Sequence, residues 1–512
     1  MIRPTIAVAA GLAVLAATVL GGQLVSPPAT TGTGVVQRVP VVGALAVCPD
    51  VRQVKNVLAT RVSVGSAPRT DGVATPTSAR VDEGHVVSQP LSGTGLSGTG
   101  EPTVVPLDGP GSVVPGLNNT VQSDGLVVTA AGSLAAGLEV EQVARGESGP
   151  QRGFAGVRCE APRAESWFVG GATTVGRDTT VYLANPDDSP AIVNLSVLTG
   201  SGTVDERPGR GLVVAPHSRL RYSLDRIAPD RTALAVRVLA ERGRVAAAVK
   251  FISVDGTVGA GADWVPPALP PASHVVVPGL PASDGGRRFL QVSNWSEDDT
   301  TVAVRVTTRA AQFVPAGMAA VLVKAQSSTT VEVGKAMGND PATVEVTTDG
   351  GLVVAGGLAV DVQDGSAVTE VSFAGSAVPL AGPAVLTDLV IDRPTESVLI
   401  LSALAADAIV EVRPIPVRGF EGSTLPAKRV PVAGGRSYVL PLSTFLRPGA
   451  TGRLAIEVRA VAGSGPVYAT RYLRARGARG PLTTLLGLQG AEQEVPLMRV
   501  NRDPLAGTGR RR

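Results

Sequence analysis

A chain of 512 residues is too long for a single core at roughly 100–200 residues per domain, so several folded units are expected. Its 46 Lys+Arg and 43 Asp+Glu residues nearly cancel, leaving a net charge of +3. Apart from Arg510-Arg511-Arg512 the basic residues are scattered, which excludes the concentrated basic surface with stacking aromatics that nucleic-acid binding needs. Aromatic residues make up only 3%, against 61 Gly and 40 Pro, a balance that excludes long helices and favours short Val-rich strands joined by turns.

Residues 1–26 read as a signal peptide or membrane anchor. Arg3 precedes a run from Thr5 to Val25 without charge, about the length that spans a bilayer. The positive flank places the remainder outside the membrane; cleavage stays open. After a linker at 27–33, residues 34–158 read as a divergent β module interrupted by a low-complexity insert at 66–112, rich in Ser, Thr, Gly and Pro and expected to be a long mobile loop. Past the insert, Asp124-Gly125 leads into LVVTAAGSLAAGLEVEQV, which echoes LVVAGGLAV from Leu352. Cys48 and Cys159 are the two cysteines of the chain. An even pair in an exported protein suggests one disulfide, expected to tie the first strand of this module to its boundary with the next and to stiffen that joint rather than a core.

Three further modules are expected at 159–272, 273–378 and 379–500, followed by a basic tail at 501–512. In VYLANPDDSPAIVNLSVL from Val181, Ala191, Val193, Leu195 and Val197 alternate with Ile192, Asn194 and Ser196, the period of a half-buried strand, after a turn carrying two prolines and two acids. The same rhythm returns in LQVSNWSEDDTTVAVRV from Leu290 and LILSALAADAIVEVRPI from Leu399. Asn185, Asn294 and Ser402 stand 109 and 108 residues apart, each eight residues before Val193, Val302 and Val410. A second repeat sets Val236-Arg-Val238, Val344-Glu-Val346 and Ile456-Glu-Val458 before Gly-containing turns and further apolar strands, a hairpin signal. Short helical turns are expected at Leu224–Ile227 and Leu442–Phe445. The period suits an all-β chain of tandem Ig-like sandwiches rather than propeller blades. The Cys…Trp…Cys pattern of true immunoglobulin domains is missing, so only the sandwich architecture is expected.

The chemical inventory is thin. His85, His217 and His274 fall in the insert, a turn and a strand without metal-ligand spacing. No G-x-S-x-G elbow is present, and Gly93-Thr-Gly95-Leu-Ser-Gly98 lacks the strand and helix a dinucleotide loop requires. The acids Asp187, Asp188, Glu297, Asp298 and Asp299 are turn-forming, or else share Ca²⁺ between modules. Trp295, in a polar turn, is the candidate stacking platform for a glycan or partner, against a packing role that also suits Trp167 and Trp264. Asn118, Asn194 and Asn294 begin N-x-S/T sequons. No catalytic residue, metal set or cofactor site is expected.

The apolar N-terminal segment, Cys159-Glu-Ala-Pro leading to SWFVGGATTVGRDTTVYLANPDDSPAIVNLSVL, and the later degenerate copies together resemble an uncharacterised family of exported actinobacterial proteins, a domain of unknown function. The resemblance implies an extracytoplasmic, envelope-associated protein encoded near a large glycosyltransferase. The expected function is a non-enzymatic scaffold or spacer presenting a binding surface to a protein or a cell-envelope glycan. The alternatives are an accessory carbohydrate-binding protein for an envelope glycosyltransferase, and an unrecognised hydrolase, which would need a deep pocket with convergent carboxylates.

Overall fold

The alternation read from Ala191 is a strand, Ala191–Thr199, in which Ala191, Val193, Leu195 and Val197 are buried while Ile192, Asn194 and Ser196 are half-buried. Strands of this kind build the whole of the computed structural model, which describes residues 38–50, 58–69, 84–91, 101–117, 125–204, 206–283, 286–363, 367–390 and 395–496. One compact unit is Pro40–Val495; the second, Met1–Val39 with Pro496–Arg512, contributes only Arg38, Val39 and Pro496 to the described residues. The export segment at 1–26 lies outside them, and no described helix is long and apolar enough to cross a membrane.

Eight strands recur four times in Pro40–Val495. The first module holds β1 (Gly43–Cys48), β2 (Leu58–Ser66), β3 (His85–Pro90), β4 (Thr103–Val105), β5 (Val113–Val114), β6 (Leu126–Ala131), β7 (Leu138–Gly146) and β8 (Gly153–Arg158). The second holds β9 (Glu165–Val169), β10 (Arg177–Asn185), β11 (Ala191–Thr199), β12 (Leu212–Val214), β13 (Ser218–Ser223), β14 (Ala235–Arg242), β15 (Ala246–Asp255) and β16 (Val258–Val265). The third runs through β17 (His274–Leu280), β18 (Arg287–Asn294), β19 (Thr300–Thr307), β20 (Val321–Val323), β21 (Ser327–Glu332), β22 (Ala342–Thr348), β23 (Val353–Gln363) and β24 (Ala367–Gly375). The fourth is β25 (Ala384–Val390), β26 (Thr395–Ala403), β27 (Ala408–Pro416), β28 (Lys428–Val432), β29 (Arg436–Pro441), β30 (Arg453–Ala460), β31 (Tyr468–Gly477) and β32 (Gly480–Gly487).

Each module makes two antiparallel sheets with one topology. A flank sheet runs first–sixth–third–fourth strand, as in β1-β6-β3-β4, and an axial sheet runs fifth–second–seventh–eighth, as in β5-β2-β7-β8. One apolar cluster fills the space between the two sheets in every module. The repeated Asn is explained by its bonds. Buried Asn185 donates through Nδ2 to the carbonyls of Ser189 (2.8 Å) and Val214 (3.0 Å) and accepts from the Asp187 N–H (3.0 Å). Asn294 does the same with Asp298, Val323 and Ser296. The side chain therefore shapes the acidic turn and ties it to the fourth strand, satisfying backbone groups that burial would otherwise leave unpaired. In the last copy Ser402 instead shares a hydroxyl bond with Ser437 at 2.8 Å. The short helical turns form as expected, at Leu224–Arg226 and Leu442–Phe445.

The modules do not lie in series. The first strand of each packs on the seventh strand of the next, and the fourth module returns to the first. Val47 of β1 meets Ala246 of β15 in one cluster. Val169 of β9 packs with Val354 of β23. Thr470 of β31 donates to the Pro278 carbonyl of β17 at 3.3 Å, and Thr387 of β25 donates to Glu141 of β7 at 2.6 Å. Around the axis the eighth strands β8, β16, β24 and β32 pack in a closed cycle. Each is the free edge of its axial sheet, so ring closure covers the edges that would otherwise invite foreign pairing. Close approach is bought with glycine: Gly261, at φ +118°, would place a Cβ 2.6 Å from the Val371 amide nitrogen.

Three further expectations change. The stretch 66–112 is not one loop, because β3 and β4 lie within it and complete the flank sheet; His85 opens β3. The echo of Leu126 with Leu352 is out of register, since β6 corresponds by topology to β22 and it is β7 that corresponds to β23. The Cys48–Cys159 disulfide is present, with Cα atoms 4.5 Å apart. Both cysteines are buried in the first module's core, joining the end of β1 in one sheet to the residue after β8 in the other, so the bridge pins a core.

Candidate functional site

Two carboxyls that burial pushes well above the ordinary range, Asp263 and Glu370, lie where the four modules meet. β16 reads VGAGADWV and is buried along nearly its whole length, so its one charged residue, Asp263, points into protein. Its Oδ1 accepts from the amide nitrogens of Gly156 on β8 (3.0 Å) and Trp264 (2.8 Å) and from Thr484 Oγ1 on β32 (3.0 Å); the Phe373 backbone of β24 also bonds to it. One carboxyl thus touches all four modules. Beside it on β24, fully buried Glu370 accepts from the Val371 amide at 3.1 Å, and no hydrogen-bond donor reaches its Oε2. Arg152, just before β8, crosses the axis to donate to the carbonyls of Thr369, Arg479 (2.9 Å) and Gly480 (3.2 Å). Further out, Arg288 pairs with Asp361 at 2.9 Å, and Thr483 Oγ1 donates to the same carboxylate at 3.3 Å.

Burial pushes the Asp263 carboxyl well above the usual carboxylate range, against the pull of its four donors. Burial likewise raises Glu370, opposed by the Val371 amide and by Arg152 and assisted by the charges of Asp263 and Asp361. A raised folded-state pKa means that each group's contribution is intact below about pH 4, where the unfolded carboxyl is also protonated, and is lost as pH rises through the folded value. The buried hydrogen bonds of Asp263 and Arg152 join strands of different modules.

Asp263→Asn is therefore expected to flatten the decline of stability between pH 4 and pH 8. The amide keeps an acceptor for Gly156 and Trp264 and cannot ionise. Denaturant midpoints at pH 4, 6 and 8 measure this, and parallel pH profiles for the two proteins would count against a buried titrating acid.

The residues singled out from sequence go elsewhere. Asp187 forms a two-pronged pair with Arg244 (2.9 and 3.0 Å), whose hydrogen bond holds its carboxyl below the ordinary value. Asp188 contacts His217 Nε2 at 2.6 Å. Asp299 accepts from the Ala325 amide at 2.7 Å, Glu297 from Gln326 at 2.6 Å, and Asp298 lends its carbonyl to Asn294. Each acidic turn is thus bonded within its own module. Among the described residues no group of three His, Cys, Asp or Glu side chains is placed to hold a metal ion. Trp295 is half-buried and meets Trp167 edge-on, ring centroids 4.8 Å apart, at the junction of the second and third modules. Asn294 is fully buried, so its sequon is inaccessible, and Asn194 donates to Glu241 at 2.6 Å.

Sequence reasoning passed over Arg152, Asp263 and Glu370. For Asp263 and Glu370 the signal was available: each is the lone charge in a strand that is buried almost throughout and lacks the alternation of a half-solvated strand; Arg152, outside any strand, carries no such mark.

Residues 114–469 match a family of unknown function, DUF5719. The chain belongs to that family. The matched span runs from the end of β5 in the first module to the start of β31 in the fourth; the packing of β9 on β23 and of β25 on β7 lies inside it, while β1 and β32 lie outside. Comparison with curated proteins finds no match.

Proposed function

We propose that this DUF5719 protein is an extracytoplasmic, non-enzymatic scaffold of four Ig-like sandwiches, held at the cell envelope by its N-terminal segment and presenting a binding surface to a glycan or protein partner, with a membrane glycosyltransferase as the partner class. The observation that carries the reading is the ring itself. Buried Arg152, Asp263 and Arg471 each bond across modules, and the acidic turns shape hairpins, which suits a rigid body that positions other molecules. Compactness favours a platform over the spacer role that modules in series would serve. The buried disulfide fits an oxidising compartment. Trp295, on which the accessory carbohydrate-binding alternative leans, is half-buried and packs against Trp167.

The test uses the full chain in intact cells of its source. Rapid alkylation should find Cys48 and Cys159 oxidised, externally added protease should reach the protein, and crosslinking should recover an envelope glycan or glycosyltransferase. Free thiols together with release among cytosolic proteins would overturn the address and the scaffold with it.

A further inference from the structure

The first module departs from its three sisters at one place. In the others the fourth and fifth strands, edges of opposite sheets, are joined by three residues: Ala215–His217, Lys324–Gln326 and Ala433–Gly435. The last of each three is left-handed, with φ +47°, +47° and +69°, and this sharp crossing draws the sheets together at the seam. In the first module the same connection is the seven residues 106–112, between strands of only three and two residues. The seam there stands open as a cavity of about 820 Å³.

Val62, Val105 and Leu126 line it, and all three belong to the module's buried core, so the cavity reaches between the sheets. Val113, Val114 and Leu117 continue the apolar wall. The other side is supplied by the fourth module, through Pro416–Gly419 and Gly452–Arg453. Charge gathers on that side. Arg418 is exposed and has no ion pair among the described residues. Arg453 approaches Asp388 at 3.8 Å, a carboxylate already held by Arg61 at 3.2 Å, so two guanidinium groups share one acid. Among the described residues Asp108 is the single acid in the cavity lining. Binding pockets for small molecules occupy about 300–1,000 Å³ and combine apolar walls with a few polar groups, which is the arrangement here.

We propose that this open seam binds an amphiphile: a single unbranched apolar chain lying between β4 and β5 over Val62, Val105 and Leu126, and an anionic head group held by Arg418 and Arg453. A guanidinium supplies paired donors to a phosphate or carboxylate, and the buried valines supply no partner for anything polar. The inference stands on the cavity and its charges, and is independent of the scaffold reading.

The test is titration of the full-length, disulfide-intact protein with decyl phosphate below its micelle concentration, read by calorimetry and native mass spectrometry. Decanol and inorganic phosphate serve as separate arms. One decyl phosphate should bind per chain, with decanol weaker by about tenfold or more, as expected for loss of a charge-assisted contact, and inorganic phosphate should show no saturation. Arg418→Glu should weaken decyl phosphate to the level of decanol. Val114→Trp should block it while Arg418→Glu and wild type melt alike; should Val114→Trp not fold, Val104→Trp, at a site 68% exposed and in the same wall, takes its place. No saturable binding to wild type, as when another part of the chain fills the seam, would overturn the proposal. Equal binding by the blocking variant would do so too, and so would inorganic phosphate binding as tightly as decyl phosphate.

Discussion

Replacing both cysteines, Cys48→Ala with Cys159→Ala, should lower the stability of the first module by about 4–5 kcal/mol, the chain-entropy figure for a closed loop of some hundred residues. The bridge closes a separation of 111 residues, which spans nearly the whole module. Without it, β1 is held by its pairing with β6 and its packing on β15. Among the described residues the module's fully buried apolar cluster is the smallest of the four, and two of its edge strands are three residues or fewer. A new early transition is therefore expected in calorimetry, accompanied by faster hydrogen exchange in β1 to β7 while β14 to β31 stay protected. Reductant added to the native wild type should act slowly, since both sulfurs are buried. Superimposable melting curves for the two proteins would show that the bridge constrains nothing the core does not already hold.

Arg471→Met is expected to cost about 3–5 kcal/mol, because it strands a buried charge rather than merely deleting a pair. Arg471 is 1% exposed and joins the fourth module to the first. Its Nη1 meets Glu141 at 3.3 Å, its Nε donates to Ser397 at 3.1 Å, and its Nη2 donates to the Asp388 carbonyl. Glu141 would keep only Thr387, whose amide (3.1 Å) and hydroxyl (2.6 Å) both donate to Oε2. Adding Glu141→Gln should recover part of the loss, because the amide carries no charge to strand. A double-mutant cycle in denaturant reads this coupling. Strictly additive effects would mean that the two side chains act separately and that the clasp is not ionic.

The strands and their turns were legible because their determinants are local. Period-two burial in β11 and the Asx bonds of Asn185 and Asn294 lie within a few residues of one another in the chain, so repetition at 109 and 108 residues exposed them. The ring was not legible, because Glu141 and Thr387 are 246 residues apart and nothing local marks them as partners. A partial sign lay in the eighth strands. GFAGVR of β8 and VGAGADWV of β16 are rich in small residues and do not alternate, which is what a strand buried on both faces looks like. The composition of 66–112 misled for a related reason: HVVSQP and TVV are too short to stand out from their surroundings, and become strands through pairing with β6 and with each other. The open seam depends on a comparison of modules in three dimensions, since the seven-residue crossing reads as ordinary loop until set beside its three-residue counterparts.

The return of the fourth module onto the first also sets an order on biosynthesis. A nascent chain can zip β1 through β16 as soon as they emerge, yet Gly156 and Asp263 must wait for Thr484, and Glu141 for Thr387 and Arg471. Until residues 480–487 arrive, the fourth axial sheet lacks its last strand and β8 and β24 lack the neighbour that covers them. Completion is then a single late docking step, and its entropic toll grows only with the logarithm of the intervening length.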